Sequence, residues 1–257
     1  MIVDHEKWSN IPLLHVYKEE LRNEKVPVVF FLHGFTSAKE HNLHYAYQLA
    51  ERGMRVLLPD AHLHGERHES LDEIQLSLRF WEIVLTSIEE VKNLRSECIN
   101  RNLLSDDTKI ALAGTSMGGI ETLGCLKVYP WVDVAAVMMG SPGYVQLAKA
   151  QMAQYEARGF KLPVTDIERK QIFETLSNFD LTKNPEALNG RPVFFWHGQQ
   201  DMVVPYEPTY NFYNAIKKSY ANHPERFQFK SDQTAGHAVS RKGLLEATEF
   251  LAEYLSV

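Results

Sequence analysis

A glycine-rich segment around Ser116 combines residue types and spacing that could do chemistry. It runs Gly114-Thr115-Ser116-Met117-Gly118-Gly119 and fits the pattern G-x-S-x-G. An apolar run at 109–113 precedes it and a stretch with helical periodicity follows it. This context predicts a tight strand-to-helix turn that presents the Ser116 hydroxyl as a nucleophile. The pattern alone also fits an ordinary turn in which Ser116 caps the helix, so the interpretation depends on partner residues.

Asp201 and His237 are the partner candidates, because a serine hydroxyl needs a base to take its proton and a carboxylate to orient that base. Asp201 follows an apolar run at 192–196, and His237 follows a weaker run at 227–230. The carboxyl ends of parallel strands meet at one edge of a sheet, so we expect both side chains to reach Ser116 there. Taken separately, Asp201 could be a turn residue and His237 a surface histidine.

A serine nucleophile also needs two N–H donors for the oxyanion of its tetrahedral intermediate. We predict the backbone N–H of Met117, which follows the nucleophile, and that of Phe35, which lies after the apolar run 26–32. His33 is interpreted mainly as a brace for the Phe35 loop. His33, Ser141 and Tyr144 are the candidates for lining the substrate pocket.

Short apolar runs alternate with longer amphipathic stretches along the chain, which predicts an α/β fold with a mostly parallel sheet and helices on both faces. A run at 11–17 is predicted to be an antiparallel strand at the sheet edge. The other predicted strands are 26–32, 55–59, 109–113, 134–139, 192–196 and, more weakly, 227–230. The predicted helices outside the insertion described next are 41–52, 71–95, 120–129, 206–220 and 242–255.

Roughly 50 residues separate the strand ending near Met139 from the strand starting at Pro192, more than one crossover helix requires. Within them, 144–158 and 166–176 have helical patterns. We therefore predict a single domain over residues 1–257 with a small helical cap inserted at about 143–190. The apolar side chains of this insertion could line an acyl pocket or form the packing face of the cap, and both interpretations stay open.

The composition excludes several classes of function. With 27 Lys and Arg against 33 Asp and Glu, the formal net charge is −6, so no basic surface for nucleic acid or anionic membranes is predicted. No apolar run approaches the roughly 20 residues that span a bilayer, and the first ten residues do not resemble a signal peptide. Cys98 and Cys125 are most simply reduced thiols. We expect a cytoplasmic protein without nucleic-acid or membrane partners, and its oligomeric state stays open.

The segment 60–68 contains enough ligand-type side chains to raise a metal hypothesis. His62, His64 and His68 could supply two or three zinc ligands. We favour the absence of metal and cofactor, because a serine triad needs neither, but whether this loop binds anything stays open. Asp60 and Arg67 are interpreted as an ion pair or as pocket wall.

Seven segments together resemble the bacterial YitV/YjfP-type esterases, in the dienelactone-hydrolase-like and prolyl-oligopeptidase-related part of the α/β-hydrolase superfamily. The resemblance implies the α/β-hydrolase fold and carboxylesterase-like activity, with Ser116, Asp201 and His237 at the triad positions. Dienelactone hydrolases use a cysteine nucleophile, so their chemistry is not implied here. The segments are 11–15, 33–37, 58–61, 64–67, 114–119, 139–142 and 196–198.

Together these observations predict a serine hydrolase that forms an acyl-enzyme intermediate. The favoured function is a carboxylesterase whose partner is a small-molecule ester with a small or short acyl chain. A thioesterase, amidase or peptidase with the same triad is the alternative, followed by a ligand-binding protein without turnover. The sequence does not determine acyl length or leaving group, since both depend on the shape of the cap.

Overall fold

The computed structural model describes residues 1–160 and 162–256, which form one eight-stranded sheet. The strands are β1 (Ile2–Trp8), β2 (Ile11–Tyr17), β3 (Val28–Leu32), β4 (Arg55–Pro59), β5 (Ile110–Thr115), β6 (Val134–Met138), β7 (Val193–Gly198) and β8 (Phe227–Asp232). Their order across the sheet is β1-β2-β4-β3-β5-β6-β7-β8. β2 pairs antiparallel with both β1 and β4, and every other neighbouring pair is parallel. The prediction of a mostly parallel α/β sheet is confirmed.

Helices cover both faces of this sheet, also as predicted. One apolar cluster packs α3 (Phe80–Asn100) and α4 (Met117–Val128) against the sheet, and a second cluster packs α1 (Leu43–Glu51) and α8 (Arg241–Leu255) against the opposite face. The helices of the described residues are α1 (Leu43–Glu51), α2 (Glu73–Leu78), α3 (Phe80–Asn100), α4 (Met117–Val128), α5 (Tyr144–Ala157), α6 (Asp166–Ser177), α7 (Tyr206–Ile216) and α8 (Arg241–Leu255). None of these helices is both long and apolar enough to cross a membrane.

The central strands are continuous apolar runs because both of their faces are buried. In β3, Val28 and Phe30 enter one cluster, while Val29 and Phe31 enter the other. Side chains of a strand alternate between the two faces, so a strand covered on both sides needs apolar residues at every position. This is why the sequence predicted these strands correctly.

The position of β2 differs from the prediction, because β1 and not β2 forms the sheet edge. Charged residues in β1 hide its strand character in the sequence, but they have partners in the hairpin. Asp4 accepts a 2.6 Å hydrogen bond from the Tyr17 hydroxyl, for example. Ser9 and Asn10 connect the strands with positive φ angles of 47° and 66°, values suited to a two-residue hairpin turn.

The predicted helix 71–95 is two helices in the structure. α2 begins at a capping box between Asp72 and Gln75, and α3 begins directly after a break at Arg79. Arg79 has φ −95° and ψ 7°, and its guanidinium binds the Glu82 carboxylate at 2.6 and 2.8 Å. The sequence has no glycine or proline at this break, and the spacing of apolar residues continues across it, so the sequence predicts a single helix. α2 has no fully buried residue, and Leu78 exposes nearly half of its surface.

Two helices, α5 and α6, lie between β6 and β7, in the range where the cap was predicted. Thr165 caps the first turn of α6 in a capping box with Glu168. Asp180 is buried and accepts a 3.0 Å hydrogen bond from the Val145 amide at the start of α5. We infer that α5 and α6 form the cap and call them the cap helices.

α4 is buried along almost its whole length, and Glu121 lies within it with 1% of its surface exposed. Within the described residues, Glu121 Oε1 has no hydrogen-bond partner. Burial raises the pKa of Glu121 well above its usual range, and the charge of Glu90 adds to that rise. The folded protein therefore keeps Glu121 protonated at pH values where the unfolded chain has already released this proton. Ionisation stabilises the unfolded chain but not the folded protein, so the free energy of unfolding falls as pH rises.

Glu121→Gln should therefore become more stable relative to the wild type as pH rises above about 4.5, by up to about 1.4 kcal/mol per pH unit until the folded carboxyl itself ionises. Chemical unfolding of both proteins at pH 5 and pH 7.5 measures this change. Glu89→Gln, at an exposed position of α3, is the control and should show little pH-dependent difference. Equal stability differences for Glu121→Gln at both pH values would contradict a buried neutral Glu121.

Candidate active site

Ser116 lies between β5 and α4 in a backbone conformation that side-chain-bearing residues rarely adopt. Its φ and ψ are 57° and −115°. Its amide donates a 2.9 Å hydrogen bond to the Met138 carbonyl, and its carbonyl accepts one from the Ile120 amide at 3.0 Å. The turn is thus bonded to β6 on one side and to the first turn of α4 on the other.

Gly114 and Gly118 allow this turn because backbones meet at both positions. A Cβ atom at Gly114 would overlap the backbone of Gly118, and a Cβ at Gly118 would overlap the Leu32 carbonyl at the end of β3. Only glycine lets α4 approach β3 and β5 this closely. The G-x-S-x-G spacing therefore has a direct steric cause in this structure.

The structure brings Ser116, His237 and Asp201 together, although they are far apart in the chain. His237 Nε2 lies 2.8 Å from Ser116 Oγ, and His237 Nδ1 lies 2.8 Å from Asp201 Oδ2. Because the carboxylate accepts at Nδ1, that nitrogen carries the ring proton and Nε2 presents a lone pair to the Ser116 hydroxyl. This geometry suits transfer of the Ser116 proton to His237.

Asp201 is buried and receives hydrogen bonds on both carboxylate oxygens. The amides of Val203 and Val204 donate to Oδ1 at 2.9 and 3.0 Å, while Oδ2 faces His237 and lies 3.4 Å from His197 Nε2. Burial alone would raise the pKa of Asp201, but His197, His237 and the two amides hold it well below its usual range. Asp201 therefore stays ionised, as a carboxylate that orients a histidine must.

His197 is a neighbour of Asp201 that the sequence analysis did not identify. It is the next-to-last residue of β7 and is fully buried, and its Nε2–H donates a 2.9 Å hydrogen bond to the Val204 carbonyl. His197 thereby fixes the turn that carries Asp201. The sequence signal for this role was only that His197 directly follows the predicted strand 192–196. Polar residues follow other predicted strands as well, so this position did not single out His197.

The predicted oxyanion donors Phe35 and Met117 border the same cavity as Ser116. Within the described residues, neither backbone N–H donates a hydrogen bond to another group of the chain. The loop preceding Phe35 is close to the turn, since a Cβ added to Gly34 would lie 3.5 Å from Ser116 Cβ. Both amides are therefore available beside the hydroxyl, while their role in stabilising an oxyanion stays a prediction.

Two buried histidines brace the Phe35 loop. His33 Nε2 accepts from the Ala61 amide at 3.0 Å, and its Nδ1–H donates to the Gly34 carbonyl at 2.8 Å. His64 Nε2 accepts from the Thr36 amide at 2.9 Å. Burial lowers the pKa of His33 to about 4 and also lowers that of His64, so both rings are neutral at physiological pH.

Asp60 has a different ionic partner from the one expected. Its carboxylate lies 2.7 Å from Lys39 Nζ, and both side chains are almost fully buried. Arg67 instead binds the Glu90 carboxylate at 2.6 and 2.8 Å and donates to the Asp60 backbone carbonyl. The expected Asp60–Arg67 ion pair is therefore wrong, because Lys39 occupies the carboxylate. Lys39 joins the loop after β3 to the loop after β4.

The cavity beside Ser116 has a volume of about 210 Å³, and the residues expected to line it lie elsewhere. Tyr144 is fully buried and its hydroxyl donates to the Ile120 carbonyl at 2.7 Å, so it packs the core. Ser141 and His33 are also buried and do not border this cavity. The observed walls are Phe35, Ser77, Phe80, Ser116, Met117, Ile120, Leu147, Gln151, Gln154, Tyr155, Val203 and Val204.

The histidines of segment 60–68 have separate partners. His64 bonds the Thr36 amide, His62 Nε2 lies 3.5 Å from the Glu82 carboxylate, and His68 Nδ1 bonds the Gly65 carbonyl. Among the residues that the structure describes, no three His, Cys, Asp or Glu side chains are gathered as metal ligands would be.

Comparison with known proteins agrees with the fold. The model of the prolyl oligopeptidase family matches residues 41–257. This chain belongs to the prolyl oligopeptidase family. It is accordingly a hydrolase, and its resemblance to the YitV/YjfP-type proteins is confirmed.

Two known bacterial proteins are similar to this chain in sequence along most of their length. The protein named "Putative esterase YitV" from Bacillus subtilis is 46% identical over 253 residues, which cover 98% of this chain and 99% of that protein. Esterase YjfP from Escherichia coli is 32% identical over 220 residues, covering 84% and 85%. The crystal structure of TT1662 from Thermus thermophilus shares the fold, with a TM-score of 0.74, 22% identity and full coverage of both chains.

Gly118→Ala should strongly destabilise this family member, by about 3 kcal/mol or more, because the new methyl group meets the Leu32 carbonyl and not a flexible side chain. Gly143→Ala is the matched control, since a Cβ there would lie 3.5 Å from Thr182 Cγ2 in ordinary contact. Urea unfolding of both variants measures the difference. Similar stabilities for the two variants would refute the steric explanation of the G-x-S-x-G turn.

Proposed function

We propose that this protein is a carboxylesterase that uses Ser116 as nucleophile, His237 as general base and acid, and Asp201 as the group that orients His237. The observation that carries the proposal is the hydrogen-bonded series Ser116 Oγ, His237 and Asp201, with 2.8 Å at each link. This is the arrangement that activates a serine hydroxyl at neutral pH.

In the first half of the reaction, His237 Nε2 takes the Ser116 proton while Oγ attacks the ester carbonyl carbon. The negative charge on the carbonyl oxygen is stabilised by the N–H groups of Phe35 and Met117. Asp201 supports the positive charge on His237 during this step. The intermediate then collapses, and the alcohol leaves with the proton carried by His237, so that Ser116 holds the acyl group.

Water releases the acyl group by the same route. His237 takes a proton from water, the hydroxide adds to the acyl carbon, and Ser116 Oγ leaves with the proton returned by His237. The net reaction adds water across the acyl–oxygen bond and yields a carboxylic acid and an alcohol. Asp201 and the two amides act in both halves.

The walls of the Ser116 cavity favour a neutral acyl substrate over a peptide with a charged terminus. Among the described residues that line it, none carries a charged side chain, and most are apolar. A cavity of this kind suits a neutral acyl group and lacks a charged group that would recognise a peptide terminus. The similar proteins from Bacillus subtilis and Escherichia coli also carry esterase names.

A cytoplasmic location is part of this proposal. Cys98 and Cys125 are both buried and unpaired, as is usual in a reducing compartment. The net charge of −6 fits a protein without a nucleic-acid partner.

Ser116→Ala should abolish covalent labelling by a fluorophosphonate probe and lower ester hydrolysis by several orders of magnitude, because it removes the attacking oxygen. Its thermal unfolding should stay close to that of the wild type, since the backbone turn is unchanged. Gel fluorescence and a nitrophenyl acetate assay measure both effects. Persistent labelling of a folded Ser116→Ala protein would overturn the nucleophile assignment.

A matched panel of an acetyl ester, an acetyl thioester and an acetyl anilide separates the esterase from its alternatives. We expect kcat/KM for the ester to exceed that for the thioester and the anilide by at least about tenfold. Faster cleavage of the thioester or the anilide would assign the protein to that class. If the fluorophosphonate probe labels Ser116 but none of the three substrates is hydrolysed, a ligand-binding protein would be favoured.

A further inference from the structure

A second and larger cavity, of about 530 Å³, lies between the α2–α3 segment and the cap helices. Its volume is within the range of small-molecule sites in proteins. None of the catalytic candidates borders it. Its apolar walls include Leu78, Trp81 and Leu85 on one side, and Met152, Ile172 and Leu176 on the other.

This second cavity adjoins the cavity at Ser116. Ser77, Gln151 and Tyr155 border both cavities and so form the boundary between them. Trp81 Nε1 donates a 2.8 Å hydrogen bond to Gln151 Oε1 and holds that boundary side chain in place. An apolar ligand that reaches from Ser116 into the second cavity has to pass this boundary at Gln151.

Aromatic rings make the wall between the two cavities continuous. Phe35 and Phe80 border the Ser116 cavity, with ring centroids 5.5 Å apart. The next ring, Trp81, borders the second cavity and lies 5.2 Å from Phe80. A hydrocarbon chain that follows this wall stays in apolar contact from one cavity into the next.

The charges around the second cavity select against an anionic ligand. Its charged wall residues among those described are Glu82 and Glu168, both acidic. Glu82 is bonded to Arg79, and Glu168 is bonded to Thr165 in the capping box. A carboxylate or phosphate at the far end of the ligand would meet only these acids, so a neutral hydrocarbon end fits best.

The position of His237 decides which part of an ester faces this cavity. The alcohol oxygen must lie near His237 Nε2, which protonates it as it leaves. Asp201 orients His237, and Val203 and Val204, which bond Asp201, border the Ser116 cavity. The second cavity adjoins the Ser116 cavity at a different part of its wall, around Gln151, so the acyl group is the part that points to it.

We propose that the second cavity binds the distal part of an unbranched, medium-chain acyl group of the ester that Ser116 cleaves. The proposal rests on the proposed esterase function and names its substrate class. The reaction is unchanged, with water adding across the acyl–oxygen bond to release a medium-chain fatty acid and an alcohol. In this arrangement the ester carbonyl and the first acyl carbons lie in the Ser116 cavity. The second cavity binds the carbons beyond them, so the preferred acyl chain is longer than the short chain expected from the sequence.

The first test is a series of nitrophenyl esters from acetate to dodecanoate, measured at concentrations where each ester is monomeric. We expect kcat/KM to rise by up to about threefold for each methylene that enters the second cavity, with octanoate at least about tenfold above acetate. A second series, the acetates of alkanols of the same lengths, should show no such rise. A rise confined to the alkanol series would show that the cavity binds the alcohol and would overturn the proposal.

The second test fills the cavity. Ile172→Trp and Thr175→Trp both place an indole at its α6 wall, one from a half-buried and one from an exposed position. Each should lower kcat/KM for octanoate by at least about tenfold and leave that for acetate within about twofold. Lys170→Trp is the matched control, since Lys170 is an exposed residue of α6 outside the cavity wall. It should leave both values within about twofold.

The outcomes separate this proposal from the proposed function. If acetate is hydrolysed and the rate falls steadily with acyl length, the esterase stands and the acyl-chain proposal fails. The proposal also fails if Thr175→Trp, tolerated at its exposed position, lowers acetate and octanoate hydrolysis equally. Absence of Ser116-dependent hydrolysis of every ester would instead refute the function itself.

Discussion

The close approach of α4 to the ends of β3 and β5 is the constraint on which the rest of the site depends. Gly114 and Gly118 remove the side chains that would keep these backbones apart. The turn places Ser116 at φ 57°, and its hydroxyl lies 2.8 Å from His237 Nε2. A strained residue persists only when its surroundings hold it, and here both neighbouring elements are hydrogen bonded to the turn.

Around Ser116, the two sides of the site are held by different kinds of interaction. On the side of the base, Asp201 is an ionised carboxylate saturated with hydrogen bonds, so one negative charge lies next to His237. On the side of the Phe35 loop, His33 and His64 are neutral rings that hold the backbone by hydrogen bonds. In the proposed mechanism, this separation leaves the N–H groups of Phe35 and Met117 without a competing anion and gives protonated His237 a charge partner.

Much of this arrangement could be predicted from sequence because it depends on local signals. Strands buried on both faces are continuous apolar runs, and the three triad candidates follow strand ends in the required order. Side-chain partners depend on tertiary contacts that spacing does not encode. Asp60 forms its ion pair with Lys39 and not with Arg67. The Tyr144 side chain lies in the core, where its hydroxyl donates a hydrogen bond to the Ile120 carbonyl. Both cavities are lined by residues on either side of the break at Arg79, which no glycine or proline marks in the sequence.

The β1–β2 hairpin has a consequence for the behaviour of many copies of the protein together. It replaces the apolar strand β2, whose residues are all buried, with the charged strand β1 at the sheet edge. An open edge invites strand addition by a second molecule, and charges there oppose it. A strand docking on β1 would bring its side chains against exposed Lys7 and the half-buried carboxylates of Asp4 and Glu6. The charges of β1 therefore oppose edge-to-edge pairing between two molecules at this end of the sheet.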